Sequence, residues 1–210
     1  VEVDGKMLYV KNIPSCGYQV IPAGKKGENK SERQGYSIEN DFYKIVFDPV
    51  KGSIVSLLDK QSGRDWVDNN AGQGFGQYLN ERFSFEQTLD YTMTYQQGRA
   101  KDWPHPGMHK PGMISEKEVP YRAASPMNGS LKIADDGYVQ TAELAMPSDK
   151  TIPLPASVLR ISLYKDLPYM DMEITIQDKA KDNWPEADWL CLPFRIDHPE
   201  FNVYRQLGTM

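Results

Sequence analysis

The sequence predicts an all-β fold of short antiparallel strands, with 210 residues enough for one large β unit or two small ones, and three observations carry that prediction. Apolar residues recur with period two through most of the chain, so each run turns one face to a core and the other to water. Short reversals with turn composition separate these runs. The 16 Gly and 15 Pro fall mainly between the alternating stretches, a punctuation that favours many short strands over helices.

Taken in order, residues 22–35 (PAGKKGENKSERQG) read as a charged, Gly-containing surface linker ahead of the main sheet region. FYKIVFD at 42–48, the turn 49–52, SIVSLLD at 53–59 and a second turn at 60–63 open a β-meander. From 71 to 126 the alternation weakens and Tyr, Gln, Gly, Pro and Met dominate. This is an irregular insertion, of the kind used as a functional loop, an interface or a poorly ordered excursion. Within it, FSFEQTLDYTMTYQQ at 83–97 is expected to form a short helix or an irregular strand pair. SLKIA at 130–134 and YVQTAELA at 138–145 flank Asp135-Asp136-Gly137, where Asp-Gly suits a tight hairpin turn. VLRISLY at 158–164 and YMDMEITIQ at 169–177 form a further hairpin about the reversal 165–168. In its second strand Met170, Met172, Ile174 and Ile176 share the buried face, and Asp171 and Glu173 the solvent face.

Composition narrows the function classes. The net charge of −5 arises from 29 acidic and 24 basic residues spread along the chain, so no basic stripe tracks a phosphate backbone and nucleic acid is not an expected partner. No apolar run approaches the roughly 20 residues of a membrane span. The opening VEVDGKMLYV lacks the features of a signal peptide, although a chain beginning at Val is compatible with earlier removal of one. Cys16 and Cys191 are too few for a disulfide framework; one bridge between them is open, and the apolar setting WLCLPF favours two free thiols.

The candidate chemistry is sparse. His105 and His109 in HPGMH would share a helical face as metal ligands, with Asp102 as a further contributor, but Pro106 and Gly107 argue against a helix and no Cys or third His lies close by. They are expected to be loop histidines without metal. Glu186 and Asp188 point to one face of a strand, as paired carboxylates of a glycosidase would, with Trp184 and Trp189 as a potential sugar-stacking surface. The structural alternative has Glu186 accepting backbone hydrogen bonds at a strand entrance, with the tryptophans in the core. Trp103 lies in the turn-rich insertion beside His105, where it either is exposed to a ligand or packs the insertion against the sandwich. Trp103, His105, His109, Trp184 and Glu186 are therefore the carbohydrate-binding candidates. No nucleophile elbow or Cys/His pair is present, and GQGFGQ at 72–77 lacks the context of a dinucleotide fingerprint. No residue of the chain is expected to be catalytic.

Two blocks carry a family resemblance. IENDFYKIVFDPVKGSIVSLLDKQSGRDWV at 38–67 resembles the opening of the β-rich C-terminal region of the family 38 glycoside hydrolases, the α-mannosidases. The matching residues are Glu39, Asn40, Phe47, Asp48, Gly52, Ile54, Ser56, Leu57, Asp59, Lys60 and Gly63. GYQVIPA at 17–23 is similar to the strand that leads into this sheet, and NWPEADWLCLPFRIDHPEFNVYRQLG at 183–208 to a Pro-Glu-Ala segment before a strand ending in Pro-Phe. The insertion looks more like uncharacterised microbial relatives. The resemblance implies an antiparallel supersandwich of the galactose mutarotase-like kind, with residues 1–210 as a single β-sandwich domain or a fragment of one, truncated at the C-terminus, where 207–210 follow directly on a strand-like run. It also implies a non-catalytic role beside an upstream barrel of the same polypeptide, which would hold the nucleophilic aspartate and a zinc ion. No cofactor is expected in this chain. Carbohydrate is the implied ligand, α-mannosides or related sugars the parent's substrate, and a periplasmic or extracellular location accords with this. The alternatives are a carbohydrate-binding module without an enzymatic partner and a mutarotase- or lyase-like enzyme using His105, His109 or Glu186.

Overall fold

The computed structural model describes residues 31–95 and 119–200, together with residues 10, 13–18 and 20 and two short strands before them. The strands are β1 (Glu2–Val3), β2 (Lys6–Met7), β3 (Ser31–Arg33), β4 (Ser37–Glu39), β5 (Tyr43–Asp48), β6 (Ser53–Asp59), β7 (Arg64–Asp65) and β8 (Gln77–Arg82). One helix, α1 (Phe85–Tyr95), follows, and then β9 (Arg122–Ala124), β10 (Ser130–Asp135), β11 (Val139–Met146), β12 (Ala156–Tyr164), β13 (Met170–Gln177) and β14 (Glu186–Cys191). The fold is all-β and sandwich-like, with antiparallel pairing throughout the described strands.

Two sheets enclose the core. One runs β4-β5-β6-β7 and the other β13-β12-β11-β10-β3. Ile38, Ile45, Phe47, Ile54 and Leu57 of the first meet Ile133, Leu144, Leu159, Ile161 and Leu163 of the second in one buried cluster. The period-two pattern decides which residues arrive there: in β12, Leu159, Ile161 and Leu163 are buried while Arg160 between them is exposed. At about 1.5–3 kcal/mol for each fully buried Leu, Ile or Phe side chain, this cluster is the main source of stability. Met170, Met172 and Ile174 of the edge strand β13 pack against it, whereas Ile176 is exposed at the strand's end. A third sheet, β14-β8-β9, continues from the first through the bridges Ile54–Phe75 and Val67–Phe194.

The turns of 48–63 share one design. Asp48 Oδ1 accepts from the Val50 and Lys51 N–H groups at 2.9 and 3.2 Å, and the Gly52 N–H returns to the Asp48 carbonyl at 2.9 Å. Asp59 repeats this with Gln61, Ser62 and Gly63. Gly52 and Gly63 close the turns at φ of 69° and 70°, where a side chain would strain the backbone. The hairpin predicted at Asp135-Asp136-Gly137 also forms, with Gly137 at φ 83°.

The remaining segments hold more structure than their composition implies. Residues 31–33, at the end of the 22–35 segment, pair with β10. The 71–126 segment contains β8, α1 and β9. Of the two expectations for 83–97, the helix forms: Ser84 Oγ accepts from the Gln87 N–H at 3.1 Å, and Gln87 Oε1 accepts from the Ser84 N–H at 2.9 Å, a complete capping box. Residues 96–118 and 201–210 lie outside the described residues.

Candidate functional site

The carboxylates singled out at 186 and 188 sit on β14, whose partner β8 pairs Glu186 with Arg82 and Asp188 with Asn80. Alternation puts Glu186, Asp188, Tyr78 and Asn80 on one face. Asn80 is 1% exposed, and its Nδ2 donates to Glu186 Oε2 at 3.2 Å and to Asp188 Oδ1 at 3.0 Å, so a single amide bridges the two carboxylates. The Tyr78 hydroxyl donates to Asp188 Oδ1 at 2.6 Å. Lys179 forms an ion pair with Glu186 and lies 3.6 Å from Asp188 Oδ2. From β9, Arg122 Nη2 donates to Asn80 Oδ1 at 2.6 Å.

The electrostatics follow from burial working against these partners. Burial pushes the Asp188 carboxyl up, but the Tyr78 and Asn80 hydrogen bonds and the Lys179 charge outweigh it and hold the group below the usual carboxylate range. Burial likewise opposes the charge on Lys179, and the Glu186 hydrogen bond and the Asp188 charge override it, raising its pKa. Burial and the Asp188 acceptor push Tyr78 far above an ordinary phenol, so its proton stays in place as a donor. A general acid needs a carboxyl whose pKa is raised. Asp188 is driven the other way.

The two tryptophans divide. Trp184 is 5% exposed; its Nε1–H donates to the Phe83 carbonyl at 2.7 Å and its ring stacks on Phe85 of α1 with centroids 6.4 Å apart. Asp182 holds the segment, accepting from Arg82 Nε at 2.8 Å and from the Trp184 N–H at 2.9 Å. Trp189 is 50% exposed and faces away from the carboxylate pair, with its Nε1–H on Glu81 Oε2 at 2.9 Å. The two rings therefore form no joint stacking surface. Glu186 takes side-chain partners, Asn80 and Lys179, in place of the backbone donors of the structural alternative.

Asp171 accepts from the Tyr164 hydroxyl and Glu173 lies 3.4 Å from Arg160, both on the outer face of the five-stranded sheet. Trp103, His105 and His109, with Asp102, lie outside the described residues. Among the described residues no group of three or more His, Cys, Asp or Glu is placed to hold a metal ion, and both Cys16 and Cys191 are free. No helix among them is long and apolar enough to cross a membrane. No protein-family model, curated protein or solved structure matches the chain.

Sequence reasoning missed Tyr78, Asn80, Lys179 and Arg122. QYLNER at 77–82 alternates, which places Tyr78, Asn80 and Arg82 on one face, but that face acquires its carboxylates from a strand about a hundred residues later.

Proposed function

We propose that the chain is a non-catalytic β-sandwich domain of a carbohydrate-active enzyme related to the family 38 α-mannosidases, packed on a separate catalytic barrel of the same polypeptide. The observation that supports this best is the work done by the residues the family pattern shares. Asn40, Asp48, Gly52, Asp59, Lys60 and Gly63 close turns and tie sheets together. Such positions carry architecture, whereas an active site would spend its carboxylates on a ligand.

The paired carboxylates point the same way. Tyr78, Asn80 and Lys179 hold Asp188 ionised, the opposite of the raised pKa a general acid needs, and Glu186 is engaged by Lys179 and Asn80. In this reading the parent's substrate is an α-mannoside or a related sugar, and zinc belongs to the barrel.

The test is an assay of the purified chain on an aryl α-mannoside, with and without added zinc. The expected result is turnover no faster than the blank, with Glu186→Gln changing only the unfolding midpoint. Hydrolysis above the blank would overturn the proposal, and its loss in Glu186→Gln would assign it to the carboxylate pair.

A further inference from the structure

The outward face of the β14-β8-β9 sheet carries a second arrangement. Glu81 stands on the central strand β8, and the residues directly opposite it are Ala187 on β14 and Ala123 on β9. Both flanking positions are therefore methyl groups, which leaves the carboxylate with no bulky neighbour in register. The space is bordered diagonally by two aromatic residues: Trp189 donates its indole N–H to Glu81 Oε2 at 2.9 Å, and Tyr121 donates its hydroxyl to Glu81 Oε1 at 2.8 Å. Trp189 and Tyr121 are each 50% exposed.

We propose that Glu81, Trp189 and Tyr121 form a binding site for a neutral pyranose unit of a glycan. The single carboxylate pins both rings by their polar ends, so little side-chain freedom is lost when a ligand lies against them. Exposed aromatic surface suits the C–H faces of a sugar, and the unused lone pairs of Glu81 accept from its hydroxyls. Among the described residues no Lys, Arg or His is within ion-pair distance of Glu81. Covering an uncompensated carboxylate with an apolar protein surface is costly, because a buried charge needs a partner. A polyol supplies neutral donors and leaves the carboxylate partly hydrated, so a sugar fits this face better than an apolar docking partner.

The site deepens the carbohydrate reading given above and rests on it for the choice of probes. The experiment is calorimetric titration of the whole chain with α-linked mannotriose and with cellotriose, alongside Trp189→Ala, Tyr121→Ala and Glu81→Gln. At least one sugar is expected to bind, with each substitution weakening it by about tenfold or more. Trp189→Phe and Tyr121→Phe, which keep an aromatic ring, should fold as the parent chain does and lose less affinity than the alanine variants. Binding of neither sugar at millimolar concentration overturns the site, as does binding unchanged in Trp189→Ala and Tyr121→Ala. The aryl mannoside assay on the same samples separates the two proposals. Hydrolysis by the chain would sink the non-catalytic reading and leave the glycan site standing.

Discussion

Asp188 illustrates how single residues on the inner face of the third sheet are committed to structure. Its folded-state carboxyl is held below the ordinary value despite burial, because Tyr78, Asn80 and Lys179 all favour the ionised form. A depressed folded-state pKa means that the unfolded chain binds its proton first as pH falls. The contribution is thus present above the unfolded value of about 4 and is lost as pH falls through the lowered folded value. Urea unfolding at a series of pH values should show stability declining below about pH 4, with part of that decline absent in Asp188→Asn. At pH 7 the same substitution should cost about 1–2 kcal/mol, through the weakened bonds to Tyr78 and Lys179. A pH profile identical in the two proteins would mean that Asp188 does not hold the cluster.

At the scale of elements, the paired turns of the first meander offer a comparison within one protein. Gly52 and Gly63 have nearly the same φ, so an added side chain meets the same backbone penalty at both. Their surroundings differ: a Cβ on Gly63 meets nothing within 4 Å, whereas one on Gly52 would lie 2.6 Å from the Met146 Cε. Gly63→Ala should therefore cost about 1 kcal/mol, and Gly52→Ala should cost more, about 2 kcal/mol, because Met146 must move within the core. Equal shifts in the urea midpoint would show that Met146 yields without cost. These turns were legible in the sequence, since Asp-x-x-x-Gly places a local acceptor and a permissive closing residue at fixed offsets. The capping box at Ser84-Phe85-Glu86-Gln87 is equally local. The helix it starts is harder to read, because α1 buries only Thr88 and Thr92 and so lacks the apolar stripe by which helices are usually recognised.

Across the whole molecule, Asn40 is one of the residues that tie the two main sheets together, beside Glu39 on Gln140 and Tyr43 on Pro168. It is 9% exposed, its Nδ2 donates to the Tyr164 and Leu167 carbonyls at 2.6 and 3.2 Å, and its Oδ1 accepts from the Phe42 and Tyr43 N–H groups. Lys60 Nζ adds a bond to its carbonyl at 2.6 Å. Asn40→Ala would leave several half-buried backbone groups without partners and should cost about 2–4 kcal/mol, with the urea m-value unchanged. A loss below about 1 kcal/mol would mean that water replaces the side chain at little cost.

The all-β class, the strands expected at 42–48, 53–59, 130–134, 138–145, 158–164 and 169–177, and the turns between them were legible in the sequence, and strands form within two residues of those bounds. These are set by period-two burial and by turn chemistry, both of which act between near neighbours. What Glu186, Asp188, Trp184 and Trp189 became was set by long-range strand pairing. Asn80 meets Glu186 and Asp188 across separations of 106 and 108 residues, and Trp189 meets Glu81 across 108. No local pattern encodes such pairings, because the order of strands in a sheet is chosen by how the whole core packs. That choice sent the carboxylate pair inward to Lys179 and Asn80 and left Trp189, with Glu81 and Tyr121, on the open face.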